Sequence, residues 1–515
     1  MAQLQGLPTT LQIVWQKTLG NNNNEYVRAL QKTCGGNYLI HAGRNTVNPI
    51  FICKVTGGGY YSSYVIKTDS VGNQLALYCG DSSTQMVSMV ATNDCGFAVV
   101  DEKGTGTPSG IDIKVTKFDS VGGVQWHRYM GGSLSDWPNH IHKTKDGNLL
   151  IKGQAESDNG DLAGAYPNNG ATAHNGLRWD WFLKLDVNTG ATIFSKMPLL
   201  RGTGVASNLI ELPNGNIVSP AGAPANNTVF SDFRLGVIDS AGNQVFEQRY
   251  GGAREDLSYS ACLATNGDVL LSGYTYSNDT LIHNHNANTS TPYVRDGLIM
   301  RISPTTGNVI WAHTYGSLGD NGEFVGQMLP DPNHPNNFYV CGIRKRTETP
   351  AADYDAWLFK INGANGDVLW EELIGGSKYD GLGLHSVDSL GNILLMGATN
   401  SNDGMVSGLN NGGNSGTSDI WMVMLHDPTS LSERSVPPPT PAVSWRISPL
   451  AGSRYQVRFV GEQLRYPVPL VLTDATGKQL QQLSATTNQI TIDLSAYNQG
   501  IYFLRSAFGA AKLVR

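Results

Sequence analysis

Asp180-Trp181-Phe182-Leu183-Lys184-Leu185-Asp186-Val187-Asn188-Thr189-Gly190-Ala191-Thr192-Ile193-Phe194 decides the fold. It reads as a strand opened by an acid, then a tight turn closed by glycine. A second strand follows, with a large apolar residue four positions after that glycine. The same spacing returns from Gly72 to Ala76, Gly122 to Trp126, Gly242 to Phe246, Gly307 to Trp311 and Gly366 to Trp370. Trp15 begins a seventh such strand with no turn before it. Irregular copies of about 60 residues are the signature of a stacked or radial repeat. Glycine in these turns supplies positive φ without steric penalty.

Upstream of the quoted stretch, His140-Ile141-His142-Lys143 reads as a short strand and Lys145-Asp146-Gly147-Asn148 as a turn. Leu149-Leu150-Ile151-Lys152-Gly153 is a second strand, followed by a long polar loop. Four short strands with regular turn signals make one propeller blade. Near-continuous apolar runs suit strands covered on both faces by neighbouring blades. The third strand opens on an acid in other copies too, at Asp112, Asp232, Asp296, Asp355 and Asp419.

The last copy determines the closure. Ile420-Trp421-Met422-Val423-Met424-Leu425 runs into His426-Asp427-Pro428 with no fourth strand after it. The missing strand is the unpartnered N-terminal one, Ile13-Val14-Trp15-Gln16-Lys17. Pairing the two joins both ends of the chain and leaves no open edge. The expectation is an all-β, seven-bladed β-propeller over residues 1–430. Most fourth strands end in glycine, at Gly20, Gly131, Gly251, Gly316 and Gly375. Acids follow at Glu25, Asp136, Asp256 and Asp380, and Asp320 sits one residue early. These acids are expected to cap backbone N–H groups where the chain crosses to the next blade. A shared calcium or catalytic role is the alternative.

At 515 residues the chain exceeds one compact core. Charged residues make up 15%, well under the usual roughly 25%. The formal net charge of −6 gives no footprint for nucleic acid or an anionic membrane. No apolar run approaches the roughly 18 residues of a membrane span. Met1-Ala2-Gln3 shows no signal peptide, and the expectation is a leader already removed. Of the six cysteines none forms a CxxC. Cys34–Cys53 or Cys79–Cys95 are candidate pairs in an oxidising compartment. Small buried hydrophobes in strands are the other reading.

Pro437-Pro438-Pro439-Thr440-Pro441 cannot join a sheet ladder and marks a linker over 431–444. Residues 445–515 alternate as strands at Tyr455–Phe459, Leu470–Thr473, Gln479–Leu480, Ile490–Asp493 and Ile501–Arg505, which suits a small immunoglobulin-like β-sandwich. This tail resembles the type A C-terminal sorting domain of the Bacteroidetes type IX secretion system. The resemblance is carried by Val471-Leu472-Thr473-Asp474-Ala475-Thr476-Gly477-Lys478, by Gln499-Gly500-Ile501-Tyr502-Phe503-Leu504 and by Lys512-Leu513-Val514-Arg515. Ser448-Pro449-Leu450 stands where the family has Pro-Asn-Pro. The resemblance implies export through the outer membrane, removal of the tail, and a secreted or surface-attached cargo. It also implies the secretion machinery as a partner, with Asp474, Gly477, Lys478, Gly500, Tyr502 and Lys512 as the sorting signal. The turn and aromatic of Ile361–Trp370 resemble quinoprotein repeats, without the cofactor-stacking and metal-binding residues of those enzymes.

No GxSxG, HExxH, P-loop or EF-hand spacing is present. If the chain enters each blade at the axis, His140, Asn208, Ser260 and His385 lie near the channel mouth as a candidate binding site. Plain packing, or contact with channel water, is the structural alternative. His140-x-His142 and His283-x-His285 are candidate metal pairs. Glu156–Asp161, Ser277-Asn278-Asp279 and Ser401–Gly404 are candidate calcium loops or plain turns. Tyr166, Trp179 and Tyr293 are candidate sugar-stacking aromatics on long loops. Asp-Ser/Thr-apolar triplets at Asp69, Asp119, Asp239, Asp279 and Asp388 look like Bacteroidetes O-glycosylation sites, and three of them are also hairpin turns. The leading expectation is a non-enzymatic binding or scaffold protein, with a glycan or surface protein as ligand and no cofactor beyond possible calcium. The alternative is an extracellular polymer-degrading enzyme, marked by two carboxylates about 5–9.5 Å apart.

Overall fold

The structure is a computed structural model. It describes residues 11–20, 25–44, 62–79, 84–104, 110–165, 178–198, 200, 208–224, 230–278, 282, 295–316, 322–346, 353–408, 418–430, 444–460, 467–474, 478–506 and 509–515. The chain divides into two compact units, Met1–Leu431 and Ser432–Arg515.

The larger unit is all-β apart from one 3-10 turn, Gly160–Leu162, among the described residues. It holds seven four-stranded antiparallel sheets among those residues. Six are meanders in chain order, spanning 25–79, 84–130, 136–196, 210–250, 256–315, 324–374; these are the first to sixth sheets. The seventh combines Asp380–Val387, Asn392–Thr399 and Asp419–His426 with the N-terminal strand Gln12–Leu19. That last pairing runs antiparallel from Gln12 opposite His426 to Leu19 opposite Ile420, with one bulge between Ile13 and Trp15. The fourth strand of this sheet is therefore supplied by the N-terminal segment.

The third sheet shows why these residues form strands. Leu149–Ala155 is buried throughout, and Trp179–Leu185 nearly so, because other sheets cover both faces. Thr192–Lys196, outermost, is half exposed. The apolar residues join neighbouring sheets. Leu39 and Val65 meet Met86 and Phe97, and Ala98 and Ile113 meet Leu149 and Trp181. Phe182 meets Ile217, Phe233 meets Leu271, and Ile299 meets Phe359. Leu358 meets Leu395, and Ile40 and Tyr64 meet Met396 and Met422 of the seventh sheet. Each sheet thus shares a core with the next, and the seventh shares one with the first.

The repeated glycine does more than turn the chain. Gly190 has φ +70°, and a Cβ there would lie 2.9 Å from the Trp126 ring of the preceding sheet. Trp126 donates its indole N–H to the Val187 carbonyl at 3.0 Å, in the same turn. Gly242 sits likewise under Phe194. Trp311 donates to the Gly363 carbonyl at 2.9 Å, and Tyr315 to that of Gly366 at 2.7 Å. The aromatic of one sheet therefore docks on the turn of the next.

Cysteine pairing differs from both expected pairs. Cys34 is bonded to Cys95, with Cα atoms 5.2 Å apart. Both lie in the turn between first and second strands, in consecutive sheets, so equivalent points of the repeat are joined across a sheet junction. Cys53 lies outside the described residues. Cys262 and Cys341 are buried free thiols.

Among the described residues the smaller unit has two antiparallel sheets. Ser444–Leu450, Arg454–Val460 and Gln489–Asp493 form one. Gln479–Ala485, Val468–Asp474, Ile501–Ser506 and Gly509–Val514 form the other. Val457, Phe459 and Ile492 of the first share a core with Leu470, Leu472, Leu504 and Leu513 of the second.

Candidate functional site

The innermost strands carry register shifts. An extra residue is inserted between Val27 and Ala29, between Pro138 and His140, between Ser258 and Ser260, and between Leu384 and Ser386. Such bulges bend a strand and re-aim a side chain. Of the residues inserted at these four shifts, with further shifts at Met86/Ser88 and Val325/Met328, Arg28, Tyr259 and His385 line a cavity of about 660 Å³. First, third, fifth, sixth and seventh sheets all contribute to its wall.

His140, Asn208, Ser260 and His385 all line this one cavity. Their hydrogen bonds are mostly internal. Asn208 donates to the Ala261 carbonyl at 2.9 Å and accepts from the Ala261 N–H at 2.9 Å. The fourth sheet's first strand is only Ile210–Glu211, so this amide continues the contact with the next inner strand that a longer strand would make. Ser260 donates its hydroxyl to Asn208 at 3.3 Å. His140 Nδ1 lies 3.4 Å from the Ser88 hydroxyl. Burial holds His140 down at about 3 and His385 at about 4, so both imidazoles are neutral near pH 7. A general acid or base working at that pH needs a value near it.

The wall also carries residues that sequence reasoning did not single out: Arg28, Gln31, Gln327, and the rings of Tyr26, Tyr259, Phe324 and Tyr379. Tyr259 and Phe324 stand 5.1 Å apart, centroid to centroid. A second cavity of about 610 Å³ shares Asn208, Met328 and Leu329 with the first. His142 lines this second cavity, whereas His140 lines the first. The two histidines of that candidate metal pair thus serve different spaces. His283 and His285 lie outside the described residues. Among the described residues no group of three or more His, Cys, Asp or Glu side chains is arranged to hold a metal ion.

Three of the recurrent acids, Asp136, Asp256 and Asp380, are caps. Asp136 accepts the N–H groups of Gly132 at 2.8 Å and of Glu156 and Ser157 at 3.2 Å. Asp256 accepts the Gly252 N–H at 2.7 Å, the Ser277 hydroxyl at 2.9 Å and the Thr275 hydroxyl. Asp380 repeats this with Gly376 at 2.7 Å, Ser401 at 2.8 Å and Thr399. In the sixth sheet the buried acid beside the inner strand is Glu323, while Asp320 lies outside the described residues. The polar loops marked for calcium supply these cap partners. Their other oxygens are also engaged: Asp161 accepts from Gly131, Asn159 from Ser133 and Asp403 from Ser377. Asp279 lies outside the described residues.

Trp179 opens a sheet strand and packs on the core instead of standing on a loop, and Tyr166 and Tyr293 lie outside the described residues. Of the triplets resembling glycosylation sites, those at Asp69, Asp119, Asp239 and Asp388 are hairpin turns. In each the Asp accepts the N–H two residues on, at 2.9–3.0 Å, and the serine is exposed.

In the smaller unit Asp474 closes the hairpin to the next strand, accepting the Lys478 N–H at 3.0 Å. Tyr502 is buried opposite Asp474 and Leu513. Gly500 and Arg515 exchange backbone hydrogen bonds at 3.0 and 3.3 Å, and Lys512 is exposed on the last strand. Tyr455 ties that strand to the other sheet, its phenol donating to the Val514 carbonyl at 2.6 Å and accepting the Val514 N–H at 3.0 Å. Gly477 lies outside the described residues.

Residues 459–515 match the family described as a secretion system C-terminal sorting domain. The chain carries a type IX secretion sorting tail. It is exported to the cell surface or secreted. No helix among the described residues is long and apolar enough to cross a membrane. No curated protein matches the chain. Among solved structures it is similar to PorZ, a surface component of the type IX secretion system of Porphyromonas gingivalis. Identity is 13% and the TM-score 0.42, over 96% of this chain and 59% of PorZ. The β-propeller domain of the Trilobed protease from Pyrococcus furiosus is 11% identical over 74% of this chain and 91% of that one, TM-score 0.40. A quinohemoprotein alcohol dehydrogenase from Comamonas testosteroni is 10% identical over 81% and 76%, TM-score 0.41. These are likenesses of shape, and nothing about ligand or activity is carried across from them.

Proposed function

We propose that this is a non-enzymatic binding protein of the cell surface or extracellular space, taking its ligand in the central cavity. In this reading residues 1–430 are one seven-bladed β-propeller, 431–444 a linker, and 445–515 an immunoglobulin-like sandwich. The sandwich carries the sorting signal for the secretion machinery, Asp474, Gly477, Lys478, Gly500, Lys512 and the buried Tyr502 that braces it. One observation carries the binding role. Residues from five sheets converge on one cavity whose described wall sets aromatic, amide, imidazole and guanidinium groups among aliphatic side chains. Apolar faces with a few placed polar groups are what ligand pockets share.

The chemistry of the wall supports binding over hydrolysis. A glycosidase needs two carboxylates facing across its site. Here the recurrent buried carboxylates Asp136, Asp256 and Asp380 are spent on backbone and hydroxyl donors. The cavity imidazoles are held neutral by burial. The test is retention of the full chain on a glycan array, with and without calcium, alongside analysis of the bound sugars for cleavage. Selective retention with the glycan intact is the expected result. Released products would overturn the non-enzymatic role, and a blank array would replace glycans with protein partners.

A further inference from the structure

We propose that the central cavity takes an acidic glycan, one bearing carboxylate groups, and that Arg28 holds its charge. This rests on the cavity being a binding site.

Arg28 is the inserted residue of the first sheet's inner-strand bulge, between Val27 and Ala29, and it lines the cavity. Its side chain is exposed. Its one contact of note is with the Tyr26 ring, 5.5 Å from guanidinium carbon to centroid. Among the described residues it makes no hydrogen bond or ion pair. Other arginines of this unit are committed. Arg234 is paired with Asp180, Arg346 with Asp355, Arg301 with Asp268, and Arg128 donates to the Gly190 carbonyl. Arg28 is also the only permanently charged side chain in the cavity's described wall.

Two neighbours feel its charge. His41, fully buried behind it, is held neutral at about 3 by burial first and by Arg28 second. Glu102 feels Arg28 but forms no ion pair with it, and burial raises its carboxyl. A guanidinium fork left open in a cavity matches a carboxylate at two points. Tyr26, Tyr259, Phe324 and Tyr379 border the same space, and aromatic rings pack well on the apolar sides of sugar rings. Gln31 and Gln327 offer amides to ring hydroxyls. Rings, amides and one cation give the apolar faces, the hydroxyls and the carboxylate of an acidic sugar a partner each.

The experiment compares tetragalacturonate, a neutral galactose tetrasaccharide and tetraglutamate as ligands, by calorimetric titration of the full chain and its Arg28→Gln and Arg28→Lys variants. Arg28 makes no contact that the fold needs, so both variants are expected to melt with the wild type. The acidic sugar is expected to bind the wild type best, to weaken with salt, and to weaken about tenfold or more in Arg28→Gln. Arg28→Lys should fall between. Equal binding of acidic and neutral sugars, unchanged in Arg28→Gln, would overturn the assignment and leave the cavity as a glycan site. Binding of tetraglutamate in place of the sugar would overturn the ligand class. Binding of none of the three would overturn both the acidic ligand and glycan recognition by the cavity.

Discussion

Replacing Gly190 by alanine tests why the repeat spaces a glycine four residues before a large apolar residue. Two costs add at this position. A residue with a Cβ at φ +70° pays about 1–2 kcal/mol for the left-handed conformation. The new Cβ would also meet three ring carbons of Trp126 at 2.9–3.1 Å. That ring is tied by its indole N–H to the Val187 carbonyl, 3.0 Å away in the same turn, so it cannot swing clear without losing the bond. Overpacking of this kind costs about 1–3 kcal/mol. Together the substitution should cost about 2–5 kcal/mol. Gly215→Ala is the control. Its φ is +85°, but the nearest atom to its Cβ is 4.0 Å away, so only the backbone cost of about 1–2 kcal/mol applies. Urea unfolding of both variants reads the difference, and hydrogen exchange in Val124–Met130 and Thr192–Lys196 locates it. Equal destabilisation by the two would refute the docking of each aromatic on the next turn.

Reducing Cys34–Cys95, or changing Cys34 to Ser, should cost about 4 kcal/mol, from the chain entropy of a loop closed across a sequence separation of 61; an unchanged melting temperature under reductant would contradict the pairing. Deleting residues 1–20 should bare the edge of Asp419–His426 and give oligomers by size-exclusion chromatography, where a stable monomer would show that Gln12–Leu19 is dispensable. Stability should fall as pH drops from about 7 to 5. Burial holds His41 and His140 at about 3 and His142 and His385 at about 4, so their contribution is present above the unfolded value near 6.5 and is lost on acidification. At pH 5 that is about 2 kcal/mol for each imidazole. Burial raises Asp112, Asp256 and Asp355 to about 6, which acts the other way, at about 1 kcal/mol or less each over the same window. The imidazoles win, and a melting temperature that rises on going from pH 7 to 5 would show they are not buried neutral.

The parts of the fold legible in the sequence are those written in local spacing. The strand runs of Leu149–Ala155 and Trp179–Leu185, the turn at Gly190 and the orphan strand around Trp15 each declare themselves within a dozen residues. The acids at Asp136, Asp256 and Asp380 were legible as caps because they keep their distance from the aromatic. What was not legible depends on contacts between sheets. Cys34 and Cys95 share a position in successive repeats, and only the radial stacking of those repeats brings the two turns together. Arg28 looks like an ordinary strand residue until the register shift beside it is known, since nothing in the sequence around it announces a bulge. His140, Asn208, Ser260 and His385 were located by counting along the repeat. The bonds that commit Asn208 to Ala261 depend on how short the neighbouring strand turned out to be.

The most direct test of the binding role is a titration of the glycan retained on the array into the full chain and into its His140→Ala/His385→Ala variant. Both imidazoles stand in the cavity wall, on the third and seventh sheets. The account predicts that the variant melts cooperatively and no longer binds. An affinity equal to the wild type's would place the ligand elsewhere on the molecule and contradict the central claim.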